Sequence, residues 1–175
     1  MNHTRKKLLS RTERKVYDER KQDDWNVCCH CCHVGWLEGL IFFDNFYEIS
    51  SRHADAIFIQ AAIADDLHIM RFMREHDAND YWNAMRCAVQ HGHIRAMVWI
   101  AKMWPTKMGR HIRMPNYGRE SLLGDAIEFD QPRSMRLLIQ WGAMISHNHL
   151  SDAIDCRSHK VRKIMIRKGI HKSDA

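Results

Sequence analysis

The chain is poor in the residues that interrupt helices: three prolines and eight glycines in 175 residues. That scarcity argues against a loop-rich or collagen-like architecture and favours helix. No stretch approaches the roughly 18 to 20 apolar residues that span a bilayer. The N-terminal MNHTRKKLLSRTERK has basic residues without the apolar core of a signal peptide. The expectation is a protein neither secreted nor membrane-spanning, located in the cytoplasm or nucleus. No GxxxxGK[ST] or GxGxxG segment is present to cradle phosphates, so nucleotide binding has no support. The six cysteines lack the layout of a disulfide framework, because four of them fall within residues 28–32 and near neighbours cannot staple distant segments. Reduced thiols inside a cell fit that arrangement better.

What is present is a composition near the globular average, 45% hydrophobic and 27% charged, in a length that suits one domain or about five short repeats. The net charge of +6 is unevenly spread. Residues 1–22 carry eight basic side chains against three acidic ones, and residues 157–172 are basic with no acid among them. The middle is nearly balanced.

Five segments superimpose without gaps: CCHCCHVGWLEGLIFF (28–43), FIQAAIADDLHIMRFM (58–73), MRCAVQHGHIRAMVWI (85–100), LGDAIEFDQPRSMRLL (123–138) and LSDAIDCRSHKVRKIM (150–165). In each, Cys28, Phe58, Met85, Leu123 or Leu150 precedes by three a small residue, Cys31, Ala61, Ala88, Ala126 or Ala153. That spacing puts both on one helix face and lets a neighbouring helix approach closely. A polar break containing Gly35, Asp65, Gly92, Asp130 or Arg157 follows, then a second apolar pattern. Its predicted core positions are Leu40, Phe42 and Phe43, then Met70, Phe72 and Met73, and their counterparts through Val161, Ile164 and Met165. Each unit reads as an αα-hairpin of helices too short to stand alone in water, so the hairpins must pack on one another. The small residues recur at 31, 61, 88, 126 and 153, which gives spacings of 30, 27, 38 and 27.

This pattern resembles the ankyrin-repeat family. AVQHGHIRAMVWI (88–100) reproduces the family's glycine-histidine turn with Gly92 and His93. SMRLLIQWGA (134–143) and VRKIMIRKG (161–169) reproduce its helix end with Gly142 and Gly169. The Thr-Pro start of the family's first helix is missing throughout, and two spacings fall well below the usual 33, which implies short or absent β-hairpin fingers. The methionine- and tryptophan-rich units are similar to ankyrin-like proteins of large DNA viruses, for which the compartment would be the host cytoplasm. The implied fold class is all-α: a solenoid of five units over 25–171, behind a basic tail or capping helix (1–24) and ahead of a short tail (172–175). A longer repeat family of which this chain is a part is a further reading.

The run Cys28-Cys29-His30-Cys31-Cys32-His33 has i, i+4 pairs of zinc-ligand type, but one helix cannot surround an ion, and only scattered Cys87 and Cys156 remain to help. Its alignment with apolar positions elsewhere points to packing, since a free cysteine behaves as a small hydrophobe. No cofactor, metal or catalytic set is expected, because no nucleophile, histidine and acid are identifiable together. Asp65-Asp66 and Asp23-Asp24 fit helix capping. The basic N-terminal segment fits a solvated cap, with a nucleic-acid arm as the alternative.

The lengthened connector at 102–121, KMWPTKMGRHIRMPNYGRES, contains Trp104, Arg110, Arg113 and Tyr117, residue types enriched at interface hot spots. It reads either as a contact element or as a cover over a groove. The resemblance implies a partner surface at the ends of the first helices: His33 and Val34, Ile63 and Ala64, Gln90 and His91, Glu128 and Phe129, Asp155 and Cys156. The expected function is therefore a monomeric, non-enzymatic protein-binding scaffold that docks its partner through the third and fourth repeats. The alternative is nucleic-acid binding through the basic termini.

Overall fold

The computed structural model describes residues 27–47, 49–105 and 121–170, and these are helical with no strand among them. The first helix, α1, occupies 27–34. It is followed by α2 (Leu37–Tyr47), α3 (Ser51–Ile63), α4 (Leu67–Glu75), α5 (Tyr81–His91), α6 (Ile94–Met103), α7 (Leu122–Glu128), α8 (Pro132–Gln140), α9 (His147–Asp155) and α10 (His159–Arg167). No helix among the described residues is long and apolar enough to cross a membrane. The basic segment 1–24 lies outside the described residues.

The ten helices form five pairs, and each pair is joined by the same turn. Gly35, Asp65, Gly92, Asp130 and Arg157, the residues of the five polar breaks, all have positive φ, between 47° and 73°. In each turn the amide one residue further on bonds back to the carbonyl of the small residue: Trp36 to Cys31, Asp66 to Ala61, His93 to Ala88, Gln131 to Ala126 and Ser158 to Ala153, at 2.7–2.9 Å. This is the 6→1 bond of a Schellman cap, which satisfies carbonyls that the ending helix would otherwise leave exposed. Three second helices, α4, α8 and α10, end the same way, at Asp77, Gly142 and Gly169.

All ten residues of the large-small pairs are buried. In the second helices the predicted core needs correction. In the second to fourth hairpins the positions five and eight beyond the turn are buried: Met70 and Met73, Met97 and Ile100, and Met135 and Leu138. In the first, Leu40 is buried and Phe43 half-buried, and in the fifth the predicted Val161, Ile164 and Met165 are all buried. In the first four hairpins the position seven beyond the turn is not buried: Phe42 is 64% exposed, and Phe72, Trp99 and Leu137 are only half-buried. At 100° per residue that position sits about 200° from the first core position, off the face that packs.

The chain divides into two compact units, Met1–Asp80 and Tyr81–Ala175. In the first, α3 packs on α4. The Asp55 carboxylate accepts the amides of Asn79 and Asp80 at 2.6 and 3.0 Å, fixing the exit of the second hairpin. Asp66 caps its own helix α4, accepting from the amides of His68 and Ile69.

In the second unit the hairpins stack in two layers. First helix packs on first helix (α5 on α7, α7 on α9) and second on second (α6 on α8, α8 on α10). Polar ties cross each junction. Ser134 donates its hydroxyl to the carbonyl of Val89 at 3.0 Å, and Ser158 does the same to that of Ile127. Asp130 accepts the amides of Lys160 and Val161 at 3.0 and 2.9 Å, so the turn of one hairpin caps the second helix of the next.

Asp130 and Arg157 occupy equivalent turn positions but do different things there, and the difference is measurable. Arg157, exposed, holds φ 57° at the expense of backbone strain. Arg157→Gly should stabilise by about 1 kcal/mol. Asp130→Gly relieves the same strain but removes a cap shared by two amides, and should destabilise by about 1 kcal/mol. Urea denaturation of both variants checks the opposite signs.

Candidate interaction surface

At the two positions just before each left-handed residue, the side chains are exposed or half-buried. His33 and Val34, Ala64, His91, Glu128 and Phe129, and Asp155 are exposed, while Ile63, Gln90 and Cys156 are half-buried. In the second unit the side-by-side packing of α5, α7 and α9 sets Gln90/His91, Glu128/Phe129 and Asp155/Cys156 on consecutive hairpins. Phe129 is the most apolar member of that row: it ends α7 as its C-cap and leaves 47% of its surface to solvent. Ile154, two residues before the matching position of the neighbouring hairpin, is 39% exposed.

The candidates differ in how free their side chains are. The His91 Nδ1 lies 2.9 Å from the carbonyl of Cys87, and its ring stacks on that of His93 with centroids 5.8 Å apart. Gln90 is committed inward. Its amide donates to Asp125 Oδ1 at 2.9 Å, beside Arg86, which grips the same carboxylate with Nε at 2.8 Å and Nη2 at 3.0 Å. Asp125 is fully buried. This knot joins the first helices of the third and fourth hairpins. Its only trace in the sequence is one acid placed beside the small Ala126.

Trp104 is the C-cap of α6, half-buried, with its ring stacked on Tyr81 at 6.2 Å and 26°. Arg110, Arg113 and Tyr117 lie outside the described residues. On Trp104, therefore, what is visible is a packing contact that closes the third hairpin, joining the start of α5 to the end of α6.

The cysteine run faces the interior. Cys28, Cys31 and Cys32 are buried, Cys29 is half-buried, and His30 and His33 are exposed. Burial pushes the thiols of Cys29 and Cys31 up, and that of Cys32 up to about 12. The Cys32 thiol points at the carbonyl of Ile57, 4.0 Å away. A thiol held protonated is a poor nucleophile and a poor metal ligand. No three His, Cys, Asp or Glu side chains among the described residues are grouped to hold a metal ion. Elsewhere, burial lowers the pKa of His149, whose Nδ1 accepts the Ser146 amide at 3.0 Å in a capping box at the start of α9.

Two outcomes test this account. Arg86→Met leaves the buried carboxylate with Gln90 alone and should destabilise by roughly 3 kcal/mol. Adding Asp125→Leu should bring stability back to within about 1 kcal/mol of wild type, as equilibrium denaturation would show. In a thiol titration at pH 8 the half-buried Cys29, Cys87 and Cys156 should react in the native protein, whereas Cys28, Cys31 and Cys32 should wait for denaturant.

No family model matches the chain, and no curated protein matches it.

Proposed function

We propose that this chain is a non-enzymatic scaffold of ankyrin-like repeats that binds a partner protein through the ends of its first helices, with Phe129 as the central anchor. The observation that carries the reading is one local geometry repeated in both units, which in the second sets three consecutive helix ends side by side. Five hairpins end their first helix in the same left-handed turn, and the two residues before it vary freely in type: His-Val, Ile-Ala, Gln-His, Glu-Phe and Asp-Cys. Constant backbone with variable, outward side chains is the arrangement a repeat protein needs to present a preordered surface, so little entropy is lost on docking. An exposed phenylalanine flanked by a glutamate supplies an apolar anchor with a polar rim.

The test is a pull-down from nuclease-treated lysate followed by reconstitution with the captured protein. Phe129→Asp should leave the melting temperature within about 2 °C of wild type, because the side chain is half in solvent, and should raise Kd at least tenfold, the loss expected of a hot spot. Equal binding by this variant would remove Phe129 from the interface. Absence of any discrete partner would remove the scaffold reading.

A further inference from the structure

In the second unit the two helix layers carry opposite charge. Every charged residue on α6, α8 and α10 is basic; every one on α7 and α9 is acidic, and the single cation on α5, Arg86, is already bound to Asp125. The basic residues fall in rows across the stacked second helices. Arg95, Arg133 and Lys160 occupy the same position in the first turns of the three, and Arg136 and Lys163 match one turn later. All five are exposed, and none forms an ion pair with a described residue. A cation in the first turn opposes the helix dipole. No acid is present in any of these first turns to offset it. The arrangement therefore works against helix stability at the starts of α6 and α8, whereas at α10 the Asp130 carboxylate caps the first turn.

The far ends of α8 and α10 add a concavity. A groove of about 330 Å³ between them is lined by Arg136, Gln140, Arg167 and Lys168 over a floor of Ile139 and Ile164. Three cations and an amide donor surround it, with no carboxylate. Arg forks match phosphate oxygens in pairs, and lysine completes the charge.

We propose that the outer face of α6, α8 and α10 binds the phosphate backbone of a nucleic acid, with the groove between α8 and α10 seating one phosphate. Packed helices lie about 8–10 Å apart, so the two rows present a continuous positive track rather than one pocket. Nucleic-acid interfaces are strongly positive, whereas protein interfaces are depleted in lysine. Four of the eight exposed cations on this face are Lys102, Lys160, Lys163 and Lys168, which favours phosphate over an acidic protein. The apolar side chains a membrane surface would need are sparse here, with Ile166 the exposed one. The face is separate from the Phe129 row and does not depend on it.

The experiment measures binding of the full chain to a fluorescent 20-nucleotide single strand and a 20-base-pair duplex, from 50 to 300 mM salt. The triple variant Arg136→Gln/Arg167→Gln/Lys168→Gln is compared with Arg133→Gln/Lys160→Gln/Lys163→Gln and with the tail variant Arg5→Gln/Lys6→Gln/Lys7→Gln, each checked for helicity. Expected are wild-type binding at 50 mM salt, at least a tenfold loss in either helix-face variant, and a slope of log K against log salt shallower by about two. The idea is overturned by absence of binding at 50 mM salt, or by a larger loss in the tail variant than in the folded helix-face variants. Stronger binding to polyglutamate, or to phosphatidylserine vesicles, than to either oligonucleotide also overturns it. If one helix-face variant fails to fold, the other decides.

Discussion

The hydrogen bond from the amide beyond each left-handed residue to the carbonyl of the small residue five positions earlier governs the rest of this structure. Among the helices it ends, α3, α5, α7 and α9 have seven to thirteen residues, a length at which a lone helix in water is marginal or unstable. Closing the turn by a local bond aligns two such helices at almost no loop cost. Only then can Met97 and Ile100, or Met135 and Leu138, meet the faces of Ala88 and Ala126. Burying each such side chain contributes roughly 1.5–3 kcal/mol, more than the cap itself, but the cap decides which faces meet. The small residue serves twice, as bond acceptor and as the place where a neighbouring backbone comes close.

Junctions between hairpins in the second unit are held by a different kind of contact. Ser134, Ser158 and Asp130 reach across to backbone groups of the neighbouring hairpin, and Arg86 and Gln90 reach across to the side chain of Asp125. No buried side-chain donor or acceptor among the described residues is left without a partner. Apolar packing alone would tolerate sliding of one hairpin along the next. Directional ties fix the register, at the risk that losing one partner strands a buried polar group.

Much of the helical organisation was legible in the sequence because it is local. The five positions that take positive φ are the five polar breaks of the aligned segments, and the ten large and small positions are buried. Phe42 shows where pattern reading overreached: three apolar residues in a row of four cannot all lie on one helical face, so one of them faces water. Asp125 shows the opposite failure. Its partners Arg86 and Gln90 are 39 and 35 residues away in the chain, and nothing in the spacing of charges announces a pair formed only when two hairpins stack. Of the expected contact residues, Phe129, Glu128 and His91 are at the surface, whereas Gln90 and Trp104 are engaged in contacts within the fold. Arg110, Arg113 and Tyr117 belong to residues 106–120, outside the described structure.

The opposite charges of the two helix layers make the second unit a permanent transverse dipole. In an external field such a body turns before it touches anything, and at physiological ionic strength the torque acts within about 8 Å of a charged surface. An approaching polyanion would meet the positive side and leave the negative side turned outward. That outward side would repel a second polyanion, so a unit bound in this way would engage one strand and not crosslink two. The side left facing solvent is the one that carries Phe129.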